Sequence, residues 1–254
     1  MKALYIFLSL ILGVFPFKTG SLESNSEKQV YVVHYQWGVL NADVARITAS
    51  CESVLWHGEP AYKARIYGKT AKFCESIVKV REDFTSTFTA ADMRPVKSSR
   101  KALEAKYNGG ETYKYDWENG LLEMTISSNK SSERKKEFSL EEGTLDVPSL
   151  YYAVRSIDLE KVSDGKPFAI RVALGDAVET ISMRYDGLQT LQARGIDKTT
   201  AHKLSISITS GNTFDPKKNV VIYLSDDDVH IPLYFEAPLK LGKVTGRLES
   251  STGK

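Results

Sequence analysis

Residues 39–56 read VLNADVARITASCESVLW, a long run in which apolar side chains alternate with other side chains. A period of two is typical of a β-strand with one buried face, and it puts Cys51 and Leu55 on the same apolar face. The turn residues His-Gly-Glu-Pro follow at 57–60, and residues 61–68 resume the strand pattern. This stretch therefore predicts a long antiparallel β-hairpin.

Strand patterns continue on both sides of this hairpin. The further predicted strands are 30–36, 84–88, 93–99, 113–117, 121–127, 168–174, 178–185, 188–195, 202–209, 220–225, 230–236 and 241–248. The links between them are short and contain Gly, Asp and Asn, which favours antiparallel pairing of consecutive strands. The predicted fold class is all-β and mainly antiparallel, with one or two strongly curved or twisted sheets.

Two segments depart from the strand pattern. Apolar side chains recur at helical spacing in residues 69–79, which predicts a short helix there. A second helix is predicted over 146–162, where Asp146 can cap the N-terminus and Pro148 suits the first turn. We expect these two short helices to cover a face or an opening of the sheet.

The N-terminus has the pattern of a secretory leader. Met1 and Lys2 precede an apolar run over residues 3–17. A positive end followed by an apolar run of this length predicts a signal peptide over residues 1–21, with an uncleaved anchor as the alternative. No other segment is apolar enough to cross a bilayer, so the expected mature chain has no transmembrane span and is periplasmic or secreted.

The expected mature chain forms a single β-rich domain over residues 22–254. The second helix is the one plausible boundary inside it, between possible halves at 29–145 and 146–250. The whole chain has 34 basic and 32 acidic residues, and the leader holds two of the basic ones. The mature chain is therefore balanced at 32 against 32, which argues against a nucleic-acid partner.

The two cysteines are Cys51 and Cys74. In an oxidising compartment such a pair predicts a disulfide, and this one would close a loop of about 24 residues and contribute roughly 3 kcal/mol. The alternative is two reduced cysteines that pack as small apolar side chains.

Acidic residues 226–228 precede His230. In an extended chain Asp226, Asp228 and His230 share one face and could bind a divalent cation. The alternative, which we favour, is a hairpin turn between strands 220–225 and 230–236, because aspartate is a preferred turn residue.

Two further groups of side chains are candidates for ligand binding. Tyr113, Tyr115 and Trp117 alternate on one strand, so all three share a face that could stack on sugar rings or line a lipid groove. In the second helix Arg155 follows Tyr151 by one turn and could pair with an anionic headgroup. The alternatives are ordinary core packing for the aromatic residues and a structural salt bridge for Arg155.

Catalytic motifs are missing from the sequence. It has no G-x-S-x-G elbow, no phosphate-binding glycine loop and no histidine pair at zinc spacing. We therefore expect a protein that is not an enzyme and that carries no cofactor.

Several motifs together resemble a known family. These motifs are VREDFTSTF at 80–88 with Arg94-Pro95, DVPSLYYAVR at 146–155, and LSDD at 224–227 with Ile231-Pro232. In this order and spacing they resemble domain of unknown function 3108, a family of exported proteins of Gram-negative bacteria. The resemblance extends over nearly the whole expected mature chain, from about Val30 to Leu248.

The resemblance implies an antiparallel architecture that is similar to the half-barrels of lipid and lipoprotein carriers, and it brings no catalytic residues. It favours an envelope protein that binds a lipid, an acyl chain or a lipoprotein in an apolar cleft, or that assists envelope assembly. A glycan-binding or polysaccharide-export accessory is the first alternative. A metal-dependent hydrolase is the second.

Overall fold

The computed structural model describes residues 26–76, 79–207, 215 and 217–253, so the predicted signal peptide lies outside the described residues. The strands are β1 (Ser26–Trp37), β2 (Leu40–Trp56), β3 (Glu59–Thr70), β4 (Val80–Thr89), β5 (Pro95–Glu104), β6 (Tyr107–Asp116), β7 (Leu121–Ser128), β8 (Ser131–Ser139), β9 (Thr144–Asp146), β10 (Phe168–Leu174), β11 (Ala177–Ala193), β12 (Ile196–Ser207), β13 (Val220–Ser225), β14 (Pro232–Pro238) and β15 (Lys243–Thr252). One helix, α1 (Val147–Arg155), lies between β9 and β10.

These strands form one sheet, in the order β8-β7-β6-β5-β4-β3-β2-β1-β15-β14-β13-β12-β11-β10-β9. Neighbours are antiparallel except β9 and β10, which are parallel. Strands β1 to β8 follow one another from the middle of the sheet to one edge, and β9 to β15 follow one another from the other edge back to the middle. There β1 pairs with β15 and joins the two halves. The prediction of a mainly antiparallel all-β fold is confirmed.

The hairpin predicted from residues 39–68 is present as β2 and β3. Its register runs from Trp56 opposite Glu59 to Ala45 opposite Thr70. Because Cys51 faces Ala64 and Ser53 faces Tyr62 in this register, the four side chains share one face of the hairpin.

Helix α1 begins as the sequence predicts. The Asp146 carboxylate accepts a hydrogen bond from the Ser149 amide, and the Ser149 hydroxyl accepts one from the Asp146 amide. This reciprocal cap satisfies two amides that a helix start leaves unpaired. The helix ends at Arg155, earlier than predicted, and turns follow it up to Gly165.

The helix predicted over 69–79 is wrong. Strand β3 continues to Thr70, and only a 3₁₀ turn at Lys72–Cys74 follows it. Lys69 and Thr70 are held in the ladder, opposite Arg81 of β4 and Ala45 of β2. Residues 77 and 78 lie outside the described part of the chain.

The sheet curves around α1. Tyr152 of the helix is fully buried and packs 6.0 Å from the ring of Phe88, which in turn lies 5.8 Å from the ring of Tyr62. The same core includes Ile170, Met183, Leu204 and Leu224 of the second half. The helix therefore fills the concave side and joins both halves of the sheet in one core.

The curvature also brings the far strands together. The Tyr113 hydroxyl on β6 donates to the Gly175 carbonyl in the β10–β11 turn at 3.0 Å. Lys136 of β8 pairs with Asp176 in the same turn at 2.8 Å. Nevertheless β8 and β9 remain the two edges of the sheet, so the ladder is not closed into a barrel.

Candidate functional site

The aromatic residues predicted to line a ligand surface belong largely to the core. Tyr113 and Tyr115 are buried, and the Tyr115 hydroxyl lies 3.1 Å from the Ser98 hydroxyl. Trp117 is half-buried, and its indole N–H donates to the Pro95 carbonyl at 2.7 Å. Tyr113 and Tyr115 are too buried to stack on a sugar, and the guanidinium of Arg94 lies 5.2 Å from the centre of the Trp117 ring, so the glycan hypothesis loses its residue-level support.

Arg155 is held in a buried ion pair. Its guanidinium makes two hydrogen bonds to the Glu27 carboxylate on β1, one of them 3.0 Å long. The side chains of Arg155 and Glu27 are only 2% and 7% exposed. Burial opposes the charge of Arg155, but the bonds to Glu27 and the field of Tyr151 raise its pKa overall. This is the structural salt bridge that the sequence allowed as the alternative to headgroup binding by Arg155. It ties α1 to β1.

Tyr151 takes part in the same network rather than facing solvent. Its hydroxyl lies 2.7 Å from the Tyr31 hydroxyl. Burial raises the pKa of Tyr151 to about 12, against the field of Arg155, so the phenol is neutral at physiological pH. The pair extends the link between α1 and β1.

Residues 226–229 form a turn. One Asp227 oxygen accepts hydrogen bonds from the amides of Val229 and His230, both at 3.0 Å, and from the Ser225 hydroxyl. His230 is buried, and its Nδ1 lies 3.1 Å from the Arg155 carbonyl. Asp226 pairs instead with His202 at 3.2 Å. Across the part of the chain that the structure describes, no group of three or more His, Cys, Asp or Glu side chains could hold a metal ion.

The predicted disulfide is not formed in the structure, where both cysteines are free. Cys51 lies opposite Ala64, whereas Cys74 follows the end of β3, where Thr70 lies opposite Ala45. Six strand residues separate Ala45 from Cys51, which is on the order of 20 Å. A disulfide needs its Cα atoms within about 7 Å.

Two recesses that the sequence did not reveal border the β2–β3 hairpin. The first, of about 450 Å³, lies mainly on the face that carries Ser53 and Tyr62, and we call it the hairpin groove. The second, of about 590 Å³, lies mainly on the opposite face, where Glu52 is paired with Lys63. Both volumes lie in the usual range of ligand sites. The hairpin groove lies beyond α1, which fills the concave interior where an apolar cleft was expected.

The two recesses differ in chemistry. The hairpin groove is mostly apolar and is lined by Ser53, Val54, Leu55, Pro60, Ala61, Tyr62 and Ala90. The second recess is lined by small and charged residues, which include Glu27, Lys28, Cys51, Glu52, Lys63 and Arg65. Lys63 pairs with Glu52 at 3.2 Å, and both side chains are more than half exposed. The apolar groove and these charged side chains therefore lie mainly on opposite faces of the hairpin.

Cys51 carries a buried thiol in the core that α1 shares with the hairpin. Burial, and then the charge of Glu27, raise the pKa of Cys51 to about 12. The thiol therefore remains protonated at neutral pH and is a poor nucleophile.

The buried hydroxyl of Tyr152 has no hydrogen-bond partner among the described residues. Burial raises the pKa of Tyr152, and Cys51 is the group whose field adds most to this effect. An unpaired buried hydroxyl costs about 1–3 kcal/mol.

Within the described residues, no helix is long and apolar enough to cross a bilayer.

Comparisons with known proteins give a family and a fold. A family model described as a protein of unknown function, DUF3108, matches residues 30–249. A solved structure, titled as a beta-barrel-like protein of domain of unknown function DUF1849 from Brucella abortus, is similar with a TM-score of 0.56 at 12% identity. The similarity covers 92% of this chain and 99% of that chain. No curated protein matches the sequence.

Proposed function

The chain belongs to the DUF3108 family of proteins of unknown function, and we propose that it is a non-enzymatic protein of the bacterial envelope that binds a lipid or acyl chain in the hairpin groove. The acyl chain would lie against Leu55 and Tyr62, and its headgroup would remain in solvent.

One observation carries the proposal: the hairpin groove is mostly apolar, and its side chain Leu55 is open to solvent. Leu55 is 73% exposed, although its strand position would allow burial. An apolar ligand would cover this side chain and gain about 25 cal/mol for each Å² removed from water. An acyl chain matches such a groove, whereas a sugar or a metal ion does not.

Two features support a binding role over catalysis. The Cys51 thiol stays protonated at neutral pH, which disfavours covalent chemistry by this residue. The carboxylates Glu27 and Glu52 are both engaged by cations, with Arg155 and Lys63 respectively. Export rests on the leader pattern of residues 1–21, and fractionation of cells that express the tagged full-length chain would test it.

The direct test is native mass spectrometry of the protein purified from its own envelope, followed by titration with a fluorescent fatty acid. Ser53→Trp would fill the hairpin groove and should lower affinity at least tenfold, which is about 1.4 kcal/mol. Thr112→Trp is the matched control, since Thr112 is also an exposed strand residue but lies far from the groove. An unchanged affinity in Ser53→Trp would refute the site.

A second variant separates ligand binding from folding. Tyr152→Phe removes only the unpartnered hydroxyl, so the free energy of unfolding should hold or rise. Because Tyr152 does not line the hairpin groove, fatty-acid affinity should be unchanged in this variant. A fall in affinity would show that the ligand lies against α1 and not in the groove.

A further inference from the structure

Exposed apolar side chains concentrate at one end of the sheet. Eight large apolar residues are exposed in the described part of the chain, and five of them lie at the end of β1, β2, β3 and β15 that is opposite to the β2–β3 turn. These five are Trp37, Val39, Leu40, Phe73 and Leu241. We call them the apolar rim.

Two neighbouring turns form the centre of the apolar rim. Trp37 pairs with Leu40 across the β1–β2 turn, whose tip residue Val39 is fully exposed. The β14–β15 turn lies beside it, because the Tyr35 hydroxyl donates to the Leu241 carbonyl at 2.9 Å. A Cβ on Gly242 would come within 2.2 Å of the Gln36 carbonyl oxygen, so the two turns are in direct contact.

The 3₁₀ turn after β3 adds Phe73 at the same end. The amide of Ala71 donates to the Val44 carbonyl of β2 at 2.7 Å, which fixes the start of this turn against the strand. The Phe73 side chain is 64% exposed. Three successive connections of the sheet thus project large apolar side chains in one direction.

Such side chains are unusual at turn tips. Turns favour Gly, Asn, Asp and Ser, and an apolar residue there gains nothing from the core. A contiguous exposed apolar patch, in contrast to scattered residues, marks a site of interaction with a membrane or a protein.

The charges around the apolar rim are mainly positive. Lys69, Lys72 and Lys217 are exposed at this end. Carboxylates at the same end already have cationic partners: Glu75 pairs with Arg81, Asp215 with Lys218 and Glu236 with Lys243. The outward charge is therefore positive, although the mature chain as a whole is balanced.

We propose that the apolar rim docks on the surface of an anionic phospholipid bilayer. Val39 and Leu241 would enter the boundary between headgroups and acyl chains, and Trp37 would take the interfacial position that tryptophan prefers. The nearby lysines would attract the protein to anionic lipid. A basic rim around apolar tips fits this surface better than it fits a protein partner.

The docked orientation leaves the hairpin groove accessible. Strand β2 runs from the apolar rim to the β2–β3 turn over 17 residues, which is on the order of 55 Å. The groove therefore faces away from the membrane on which the rim lies. Rim docking does not depend on the groove, and each can be tested without the other.

The test is flotation of the mature chain with vesicles of phosphatidylethanolamine and phosphatidylglycerol, compared with neutral phosphatidylcholine vesicles. We expect binding to the anionic vesicles that weakens with added salt. The double variant Val39→Ser/Leu241→Ser should lower the partition coefficient roughly tenfold, because most of the inserted apolar area is lost. Leu174→Ser/Leu188→Ser is the matched control, since these two residues are exposed apolar residues elsewhere.

Three outcomes would overturn the proposal. The first is an absence of vesicle binding at low salt. The second is an equal loss of binding in the control variant. The third is self-association by analytical ultracentrifugation that the rim variant abolishes without any vesicle binding, which would make the rim a protein contact. Ser53→Trp, which blocks the groove, should leave vesicle binding unchanged, so failure of one site is distinguishable from failure of the other.

Discussion

Arg155→Met should strongly destabilise the protein, because it leaves the Glu27 carboxylate buried without its partner. The Glu27 side chain is 7% exposed, so water cannot replace the lost guanidinium. Breaking a buried ion pair by removing one partner costs about 3–5 kcal/mol. For a domain of this size that loss corresponds to a fall in Tm of roughly 6–20 °C.

A double-mutant cycle isolates the pair. In the double variant Glu27→Gln/Arg155→Met the unpaired charge is gone, so we expect it to be more stable than Arg155→Met alone by about 2 kcal/mol or more. That recovery separates the buried charge from the packing that the Arg155 side chain contributes.

The assay is urea unfolding followed by far-UV circular dichroism, with Arg46→Met as the control. Arg46 makes a pair of the same two-bond form with Glu249, but on the surface, where its side chain is 60% exposed. Exposed pairs contribute about 0–1 kcal/mol. Equal losses in Arg155→Met and Arg46→Met, or additivity in the cycle, would refute the reasoning.

Three further predictions concern stability. Phe88→Ala removes a fully buried ring and should lower the free energy of unfolding in urea by about 3–5 kcal/mol. A loss below 1 kcal/mol would contradict the burial of this ring in the core. Gly242→Ala should lower Tm more than Gly38→Ala, because both have positive φ but only Gly242 lies against neighbouring backbone; equal shifts would contradict that contact. Burial raises the pKa of Glu82 to about 6. The folded state therefore binds the proton more tightly, and stability should fall as the pH rises from 4.5 to 6. Glu82→Gln should flatten Tm over this range, and an unchanged slope would exclude Glu82.

The hairpin groove changes how a carrier hypothesis applies to this fold. A ligand cleft was expected inside the curved sheet, but α1 packs there, with Tyr152 of the helix against Phe88 of β4. A ligand can enter that space only if the helix leaves it. The groove requires no such movement, because it lies past the helix on a hairpin that projects from the rest of the sheet.

Local patterns in the sequence determined the strands and the start of the helix. The alternation in residues 39–56 has a period of two, and that period alone predicts the long β2–β3 hairpin. Asp146 and Pro148 likewise predict the start of α1, because capping depends on residues within one turn. The turn that contains the acidic residues 226–228 also depends on neighbouring residues, because Asp227 accepts hydrogen bonds from Ser225, Val229 and His230. The sequence could therefore predict it as a turn.

Tertiary structure alone decided what those elements became. Whether Tyr113 and Tyr115 face a ligand or the core depends on curvature that accumulates over many strands, and no single strand encodes it. Glu27 and Arg155 are 128 residues apart in the chain and meet only because α1 packs on the concave side of the sheet. The hairpin groove and the apolar rim arise in the same way, from strands that end at different heights in one sheet. Strand periodicity determines which face a side chain takes, but only the packed sheet determines what lies against that face.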